Sequence, residues 1–167
     1  MDEKFVVDNN VGRIARWLRM MGYDAVLFHG LDDGLMVKLA LSQGRIIITK
    51  DTGFMKRRAV TTRRVRAVLV SGDDPEVQMQ KVITELKLNT CYQPFTRCLE
   101  CNAVLQPRDR EEIKDEIPPR VYERHEQYME CPDCRRFYWQ GTHWEDMHRK
   151  LQQFELQMRQ AVEGDKK

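Results

Sequence analysis

Four of the five cysteines stand in two Cys-x-x-Cys pairs, Cys98 with Cys101 and Cys131 with Cys134. Two such pairs on tight turns supply the four thiolates of tetrahedral zinc coordination. In a reducing compartment this pairing favours metal over disulfide bonds. We therefore predict a closed structural zinc site, which contributes to folding and not to catalysis. A redox-active pair is the alternative, and Cys91 remains outside the set.

A second group of reactive side chains consists of aspartates that follow short apolar runs. Asp8 ends "KFVVD", Asp33 opens a helical pattern after "DAVLF", and Asp51 follows "RIIIT". Asp73 and Asp74 follow the run "RAVLV". If these runs are parallel strands, the acids share the carboxyl edge of a sheet, where open α/β proteins bind ligands. Clustered carboxylates repel one another unless a cation neutralises them, and Mg²⁺ or Mn²⁺ prefers such oxygen ligands.

The chemistry predicted for such a site is phosphodiester hydrolysis. A bound Mg²⁺ or Mn²⁺ ion holds a phosphodiester, lowers the pKa of an attacking water and stabilises the leaving oxyanion. Each aspartate also has an ordinary structural role open to it, as a helix cap or in an Asx turn. Their coincidence at one sheet edge favours the metal site.

Cationic side chains accompany the predicted site. Residues 1–90 carry 15 Lys and Arg against 11 Asp and Glu, although the net charge of the chain is only +2. The segment 56–66, "KRRAVTTRRVR", has six cations and no acid, which attracts a polyanion. Ordinary solvated surface charge is the alternative. We predict phosphate contacts from Arg13, Arg16, Lys50, Lys56, Arg57, Arg58, Arg63 and Arg64.

Alternating strand-like and helical patterns supply the elements that position these residues. We predict strands over 4–8, 24–28, 45–49 and 66–70, and helices over 12–21, 33–42 and 75–88, with a short helix near 53–58. Helical periodicity turns Leu35 toward the core and leaves Arg13, Arg16 and Arg19 outside the apolar stripe of the first helix. This order predicts an α/β domain with a mainly parallel four-stranded sheet flanked by helices.

The pattern changes around residues 91–94, and we place a domain boundary there. Residues 1–92 form the predicted α/β domain, and 93–167 a zinc ribbon with a terminal helix from about 144 to 162. A length of 167 residues suits one ordinary domain and a small appendage. The segment "YWQGTHW" gathers aromatic rings and His143, either for stacking on nucleic acid or for packing on the protein.

No segment indicates a membrane or secretory protein. The hydrophobic fraction is 41%, and no apolar run approaches the roughly 20 residues that span a bilayer. The acidic start "MDEKFVVD" lacks the basic and apolar regions of a secretory signal. We predict a cytoplasmic protein with no membrane partner, and a homodimer stays open.

Five segments carry a family resemblance, in the order "KFVVDNNVGRIARWLRMMGYDAVLF", "DDGLMVKLA", "GRIIITKD", "FTRCLECNAVL" and "CPDCRRFYWQGTHWEDM". Together they cover about residues 4–148 and resemble the Mut-seven C-terminal RNase family. Members of that family combine a PIN-like nuclease domain with a C-terminal zinc ribbon. The resemblance implies a metal-dependent ribonuclease with an RNA substrate.

The resemblance also implies roles for individual residues. It makes Asp8, Asp33 and Asp51 catalytic acids that hold Mg²⁺ or Mn²⁺, and the four paired cysteines zinc ligands. Asp73 is our candidate for the fourth acid of PIN-like nucleases, with Asp74 beside it. Two departures concern substrate positioning. "NNV" follows Asp8 where the family often has an apolar or small triplet, and Lys50 replaces the arginine of a Thr-Arg-Asp motif, losing a bidentate phosphate contact.

Two other functions compete with the metal-dependent ribonuclease. A non-catalytic RNA- or ribosome-binding protein would use the ribbon and the basic segment, with the acids acting as caps. A phosphoacceptor receiver domain would need an adjacent acid pair after the first strand and a lysine after a fifth strand. Here Asp8 is followed by Asn9 and Asn10, and no fifth strand is evident.

Overall fold

The computed structural model describes residues 3–164. Its first part is a wholly parallel sheet in the order β2-β1-β3-β4. The strands are β1 (Lys4–Asp8), β2 (Asp24–Phe28), β3 (Arg45–Thr49) and β4 (Ala67–Leu69). The helices of this part are α1 (Arg13–Met20), α2 (Asp33–Gln43), α3 (Arg58–Thr61) and α4 (Pro75–Leu86). The predicted fold class, an α/β domain with a parallel four-stranded sheet, is confirmed.

Alternate side chains of the strands enter two separate cores, because successive residues of a strand point to opposite faces. Val7 and Ile48 belong to the core under α1 and α4, whereas Val6 and Ile47 belong to the core under α2. All five residues of β3 are buried. The run "RIIIT" is therefore uninterrupted because helices cover both faces of this strand.

The second part is a small antiparallel sheet in the order β5-β6-β7. Its strands are β5 (Gln106–Arg108), β6 (Tyr128–Glu130) and β7 (Phe137–Tyr138), with α5 (Pro119–Arg124) in the excursion between the cysteine pairs. The long α6 (Thr142–Gly164) follows. Leu151 and Phe154 of α6 are buried in the core that contains Val7, so the terminal helix packs on the first part of the chain.

Arg19 is where the structure departs most from the predicted helix faces, because this side chain is buried. Its guanidinium donates to the carbonyl of Ala25 at 2.8 Å and to those of Leu99 and Glu100 at 2.9 and 2.7 Å. Burial lowers the pKa of Arg19 below its ordinary value. Arg19 was predicted to lie outside the apolar stripe of the first helix, and it is nevertheless buried because the first cysteine turn covers that side of α1.

Two further differences concern helix faces and ends. Leu35 was predicted to face the core, but it is 51% exposed, while Met36 and Ala40 meet the sheet. That prediction was wrong because α2 turns only a narrow stripe inward. α6 begins at Thr142, two residues earlier than expected. Within residues 3–164, no helix is long and apolar enough to cross a membrane.

Candidate active site and metal centre

The carboxyl ends of β1 and β3 are joined by a short hydrogen-bond chain. The pairing of Val7 with Ile48 places the next residues, Asp8 and Thr49, side by side. The Thr49 hydroxyl donates to Asp8 Oδ2 at 2.7 Å and accepts from the backbone N–H of Asp51 at 3.1 Å. Thr49 is fully buried. It therefore fixes one oxygen of Asp8 and, at the same time, the backbone of Asp51.

Asp51 combines a local structural role with an open oxygen. Its Oδ1 accepts from the backbone N–H of Gly53 at 2.7 Å, so it forms the turn before the 3₁₀ segment Phe54–Lys56. The capping alternative is thus realised by one oxygen. Within residues 3–164, Oδ2 of Asp51 has no hydrogen-bond partner, which leaves it available to a ligand.

Asp33 lies in the first turn of α2 and does not cap it. The cap is Asp32, whose Oδ1 accepts from the backbone N–H of Gly34 at 2.7 Å. Asp33 Oδ2 instead pairs with Arg57 Nη2 at 2.7 Å. Arg57 follows β3 and Asp33 follows β2, and β1 lies between those two strands in the sheet. The approach of Asp33 to Asp8 stays a prediction.

Asp73 and Asp74 lie after β4, which is two strands away from β1. Asp74 caps α4 by accepting from the backbone N–H of Glu76 at 2.8 Å. Asp73 is 96% exposed, and its carboxylate lies 3.4 Å from Lys50 Nζ. Strands are about 4.8 Å apart, so the two strand spacings between β1 and β4 separate these acids from Asp8 by roughly 10 Å of sheet. Lys50 is the residue that links Asp73 to the site.

The aspartates are less tightly grouped than the cysteines. Among the described residues, only the four paired cysteines form a set of three or more whose ligand atoms all lie within 4.8 Å of one another. The assignment of Asp8, Asp33 and Asp51 to Mg²⁺ or Mn²⁺, and of Asp73 as fourth acid, stays a prediction. Their oxygen donors are nevertheless the chemical type that these ions require.

The predicted phosphate-binding cations differ in how they are held. Arg16 pairs with Glu100 at 2.8 Å and Arg57 with Asp33, so both are oriented by carboxylates. Arg63 has a left-handed backbone, with φ of 57°. The remaining predicted cations with exposed side chains are Arg13, Lys50, Lys56, Arg58 and Arg64. Their contact with RNA stays a prediction.

The two cysteine turns have the same backbone geometry. The residue after the second cysteine of each pair, Asn102 or Arg135, has a left-handed φ of 77° or 61°. In each turn its N–H donates at 3.0 Å to the carbonyl of the first cysteine, Cys98 or Cys131. Each turn also aims a backbone N–H at the first sulfur, at 3.5 and 3.4 Å. Both turns thus present two sulfurs in one arrangement.

The four sulfurs fit a tetrahedral metal ion. Cys98 Sγ lies 3.5 Å from Cys134 Sγ, and Cys101 Sγ lies 3.2 Å from Cys131 Sγ. Zn–S bonds of 2.3 Å place tetrahedral sulfurs about 3.8 Å apart, close to these separations. Cys98 and Cys131 are buried, whereas Cys101 and Cys134 are exposed. These cysteines can bind a metal ion such as zinc.

Tyr138 supports this centre and was not identified from the sequence. Its hydroxyl lies 3.1 Å from Cys98 Sγ. Burial raises the pKa of Cys98, but hydrogen bonds from Tyr138 and from backbone N–H groups outweigh it and lower that pKa to about 6. Burial, with the adjacent Cys98 sulfur, raises the pKa of Tyr138. Tyr138 therefore favours the charged form of Cys98, and the aromatic run after Cys134 was its only sequence signal.

Comparison with known proteins gives one finding. A sequence model described as the Mut7-C RNAse domain matches residues 3–151, which include the parallel sheet, the aspartates and both cysteine turns. No curated protein and no solved structure gave a match. The matched span is most of the chain and agrees with the resemblance noted in its motifs. The chain therefore belongs to the Mut7-C RNase family.

Proposed function

We propose that this protein is a metal-dependent ribonuclease that hydrolyses RNA phosphodiester bonds at the carboxyl edge of its parallel sheet. Membership in a nuclease family supports a hydrolase. In this protein, the observation that carries the proposal is the series of hydrogen bonds that runs from Asp8 through Thr49 to Asp51. It fixes the Asp8 side chain and the Asp51 backbone, which follow neighbouring strands, and the carboxyl edge of an open α/β sheet is where ligands bind.

Each acid contributes an oxygen that its structural role leaves over. Thr49 orients Asp8, and Gly53 orients Asp51, so neither carboxylate must be ordered when a ligand arrives. Asp33 of α2 is the third acid of the set. In the absence of the metal ion its carboxylate pairs with Arg57, and the ion would replace Arg57 as its partner. Mg²⁺ or Mn²⁺, when bound by these three acids, would supply Lewis-acid activation of water and of the phosphodiester.

The cationic residues hold the substrate in this proposal. Arg13 opens α1 five residues after Asp8, and Lys50 directly precedes Asp51. Arg57, Arg58, Arg63 and Arg64 follow along the same polypeptide segment. Exposed lysines and arginines bind phosphates without reading sequence, so they position the RNA rather than choose it. Arg57, once released from Asp33, would add a fork of donors for one phosphate.

The cysteine centre has a separate, structural role in this proposal. We assign zinc to it because four thiolates match the preference of that ion and leave no open position for catalysis. The zinc would keep the first cysteine turn in place against Arg19. We further propose that the protein acts in the cytoplasm, and a homodimer stays a prediction.

The proposal is tested by incubating the purified protein with a mixed RNA pool in the presence and absence of Mn²⁺. We expect cleavage only with the ion. Asp8→Asn and Asp51→Asn should abolish it while zinc content and thermal unfolding stay near those of the unsubstituted protein. Full cleavage by both variants would refute the assignment, and protein that binds RNA but never cuts it would favour a non-catalytic RNA-binding role.

A further inference from the structure

A cavity of about 840 Å³ lies between the ribbon, the segment after residue 93 and the start of α6. Its size falls within the usual range for ligand pockets, which is roughly 300 to 1,000 Å³. None of the predicted catalytic aspartates lines it, but Arg16 of α1 does. Arg16 lies one helical turn beyond Arg13, so the cavity is adjacent to the path proposed for RNA.

Flat aromatic rings form much of the cavity wall. Trp144 and His148 are stacked, with ring centroids 5.0 Å apart and an interplanar angle of 6°. Phe95 lies 5.1 Å from Trp144, and Trp139 contributes from the other side of the ribbon turn. Rings held against one another lose little freedom when a planar ligand stacks on them. The wall therefore favours a planar, aromatic ligand.

The backbone at Phe95 is strained in a way that keeps its ring in this wall. Its φ is 62°, a left-handed conformation that bulky side chains rarely adopt. The N–H of Phe95 donates to the carbonyl of Met20 at 3.0 Å, which fixes the conformation. Strain of this kind concentrates at functional sites. Phe95 thus combines an unusual backbone conformation with a place in the cavity wall.

The charges around the cavity complement an anion. Arg16 and Arg136 share a single carboxylate, Glu100, at 2.8 and 3.7 Å. In all, three arginines and two glutamates line the cavity, the others being Arg97 and Glu116. Because two guanidinium groups face one carboxylate, a phosphate can pair with the one that Glu100 leaves unbalanced.

We propose that this cavity binds an unpaired base of single-stranded RNA, with the adjoining phosphate on Arg16 and Arg136. The choice of RNA rests on the proposed ribonuclease function, because a base and its phosphate match the combination of aromatic wall and arginine pair. Base stacking on aromatic side chains tolerates any sequence but requires an unstacked base. The cavity therefore makes the enzyme select single-stranded over double-stranded RNA.

The three tryptophans of the chain give a direct test, because Trp139 and Trp144 line the cavity and Trp17 does not. Trp17 instead contacts Phe154 in the core, with ring centroids 5.3 Å apart. In Trp17→Phe protein that also carries Asp51→Asn, all tryptophan fluorescence reports on the cavity and RNA is not cut. We titrate this protein, without added divalent ions, with an eight-nucleotide single-stranded RNA, a blunt RNA duplex and AMP.

We expect saturable quenching by the single strand and much weaker quenching by the duplex and by AMP. Trp139→Leu should weaken single-strand binding about tenfold in fluorescence anisotropy, and Trp17→Leu should leave it unchanged. RNA binding without a fluorescence change would overturn the inference, as would equal quenching by duplex or AMP, or unchanged affinity in Trp139→Leu protein. Zinc content is measured for each variant to verify the fold of the ribbon.

The two proposals fail separately. Quenching by single-stranded RNA together with absence of cleavage by the unsubstituted protein would support the cavity and refute the ribonuclease. Cleavage of RNA without quenching would support the ribonuclease and refute the cavity as a binding site.

Discussion

Replacing Thr49 with valine removes one hydroxyl from the proposed active site and keeps the shape of the side chain. The hydroxyl makes two hydrogen bonds, a charge-assisted one to Asp8 and a neutral one from the N–H of Asp51. The first contributes about 1.5 to 3 kcal/mol and the second about 0.5 to 1.5 kcal/mol. Asp8 is half-buried and Asp51 exposed, so water compensates in part. We expect a loss of about 2 kcal/mol in the free energy of unfolding.

A loss of that size lowers Tm by roughly 4 to 8 °C in a chain of this length. The effect on cleavage should be larger, because residues that orient metal ligands typically change activity or metal affinity by about 10- to 100-fold. We expect kcat to fall within that range at saturating Mn²⁺, while KM for RNA stays constant, because the buried Thr49 cannot touch the substrate.

The assay is RNA cleavage under conditions where more than nine tenths of the variant is folded. Thr49→Ser retains the hydroxyl and should recover most of the rate, although the lost methyl group lowers stability by about 1 kcal/mol. Thr62→Val is the matched control, since the Thr62 hydroxyl bonds only a carbonyl of its own helical turn. Cleavage by folded Thr49→Val protein at the rate of the unsubstituted protein would refute the orienting role.

Three further predictions concern the elements around the site. Arg19→Ala should lower the free energy of unfolding by about 3 kcal/mol, because it leaves buried carbonyl groups without a hydrogen-bond donor. Arg13→Ala on the same helix is the control and should change this free energy by less than about 0.5 kcal/mol. Chemical denaturation measures both changes. Cys98→Ser should reduce zinc to less than one equivalent and expose the ribbon to protease, measured by metal analysis and proteolysis, and a full equivalent would contradict the four-thiolate site. Burial raises the pKa of Asp24, but hydrogen bonds from Arg45 and from the side-chain amide of Asn102 outweigh it and lower that pKa. Asp24 therefore stabilises the fold above about pH 4, and this stabilisation is lost as the pH falls further. Asp24→Asn should therefore be roughly 2 kcal/mol less stable at pH 7, with a difference that narrows below pH 4; a constant difference would contradict the ion pair.

The parallel sheet was predictable because its signals are local. Each strand is a short, largely apolar run, and the longer helices have their own periodicity and end signals. "RIIIT" could be identified as a strand covered on both faces without knowledge of what covered it. The edge that gathers Asp8 and Asp51 then followed from the rule that parallel strands share their carboxyl ends.

What could not be predicted depends on contacts between distant segments. Arg19 is separated from Leu99 by 80 residues. In the sequence, the side of α1 that carries Arg19 is therefore polar, and no local pattern indicates that the cysteine turn covers it. Thr49 was read as the end of an apolar strand, and its role emerges only from the register between β1 and β3. The sequence did not decide whether the aromatic segment after Cys134 stacks on nucleic acid or packs on the protein, because no local pattern reveals a cavity that three segments share.

The most direct measurement is the rate at which single-stranded RNA is cleaved with Mn²⁺ by two variants that differ at adjacent aspartates. Asp32 caps α2, a role that asparagine also fulfils, whereas Asp33 is a predicted metal ligand. We predict that Asp32→Asn protein cleaves at nearly the rate of the unsubstituted protein, and that Asp33→Asn protein loses cleavage while retaining its fold and zinc. Equal rates for the two variants would contradict the assignment of Asp33 as a ligand of the catalytic metal ion.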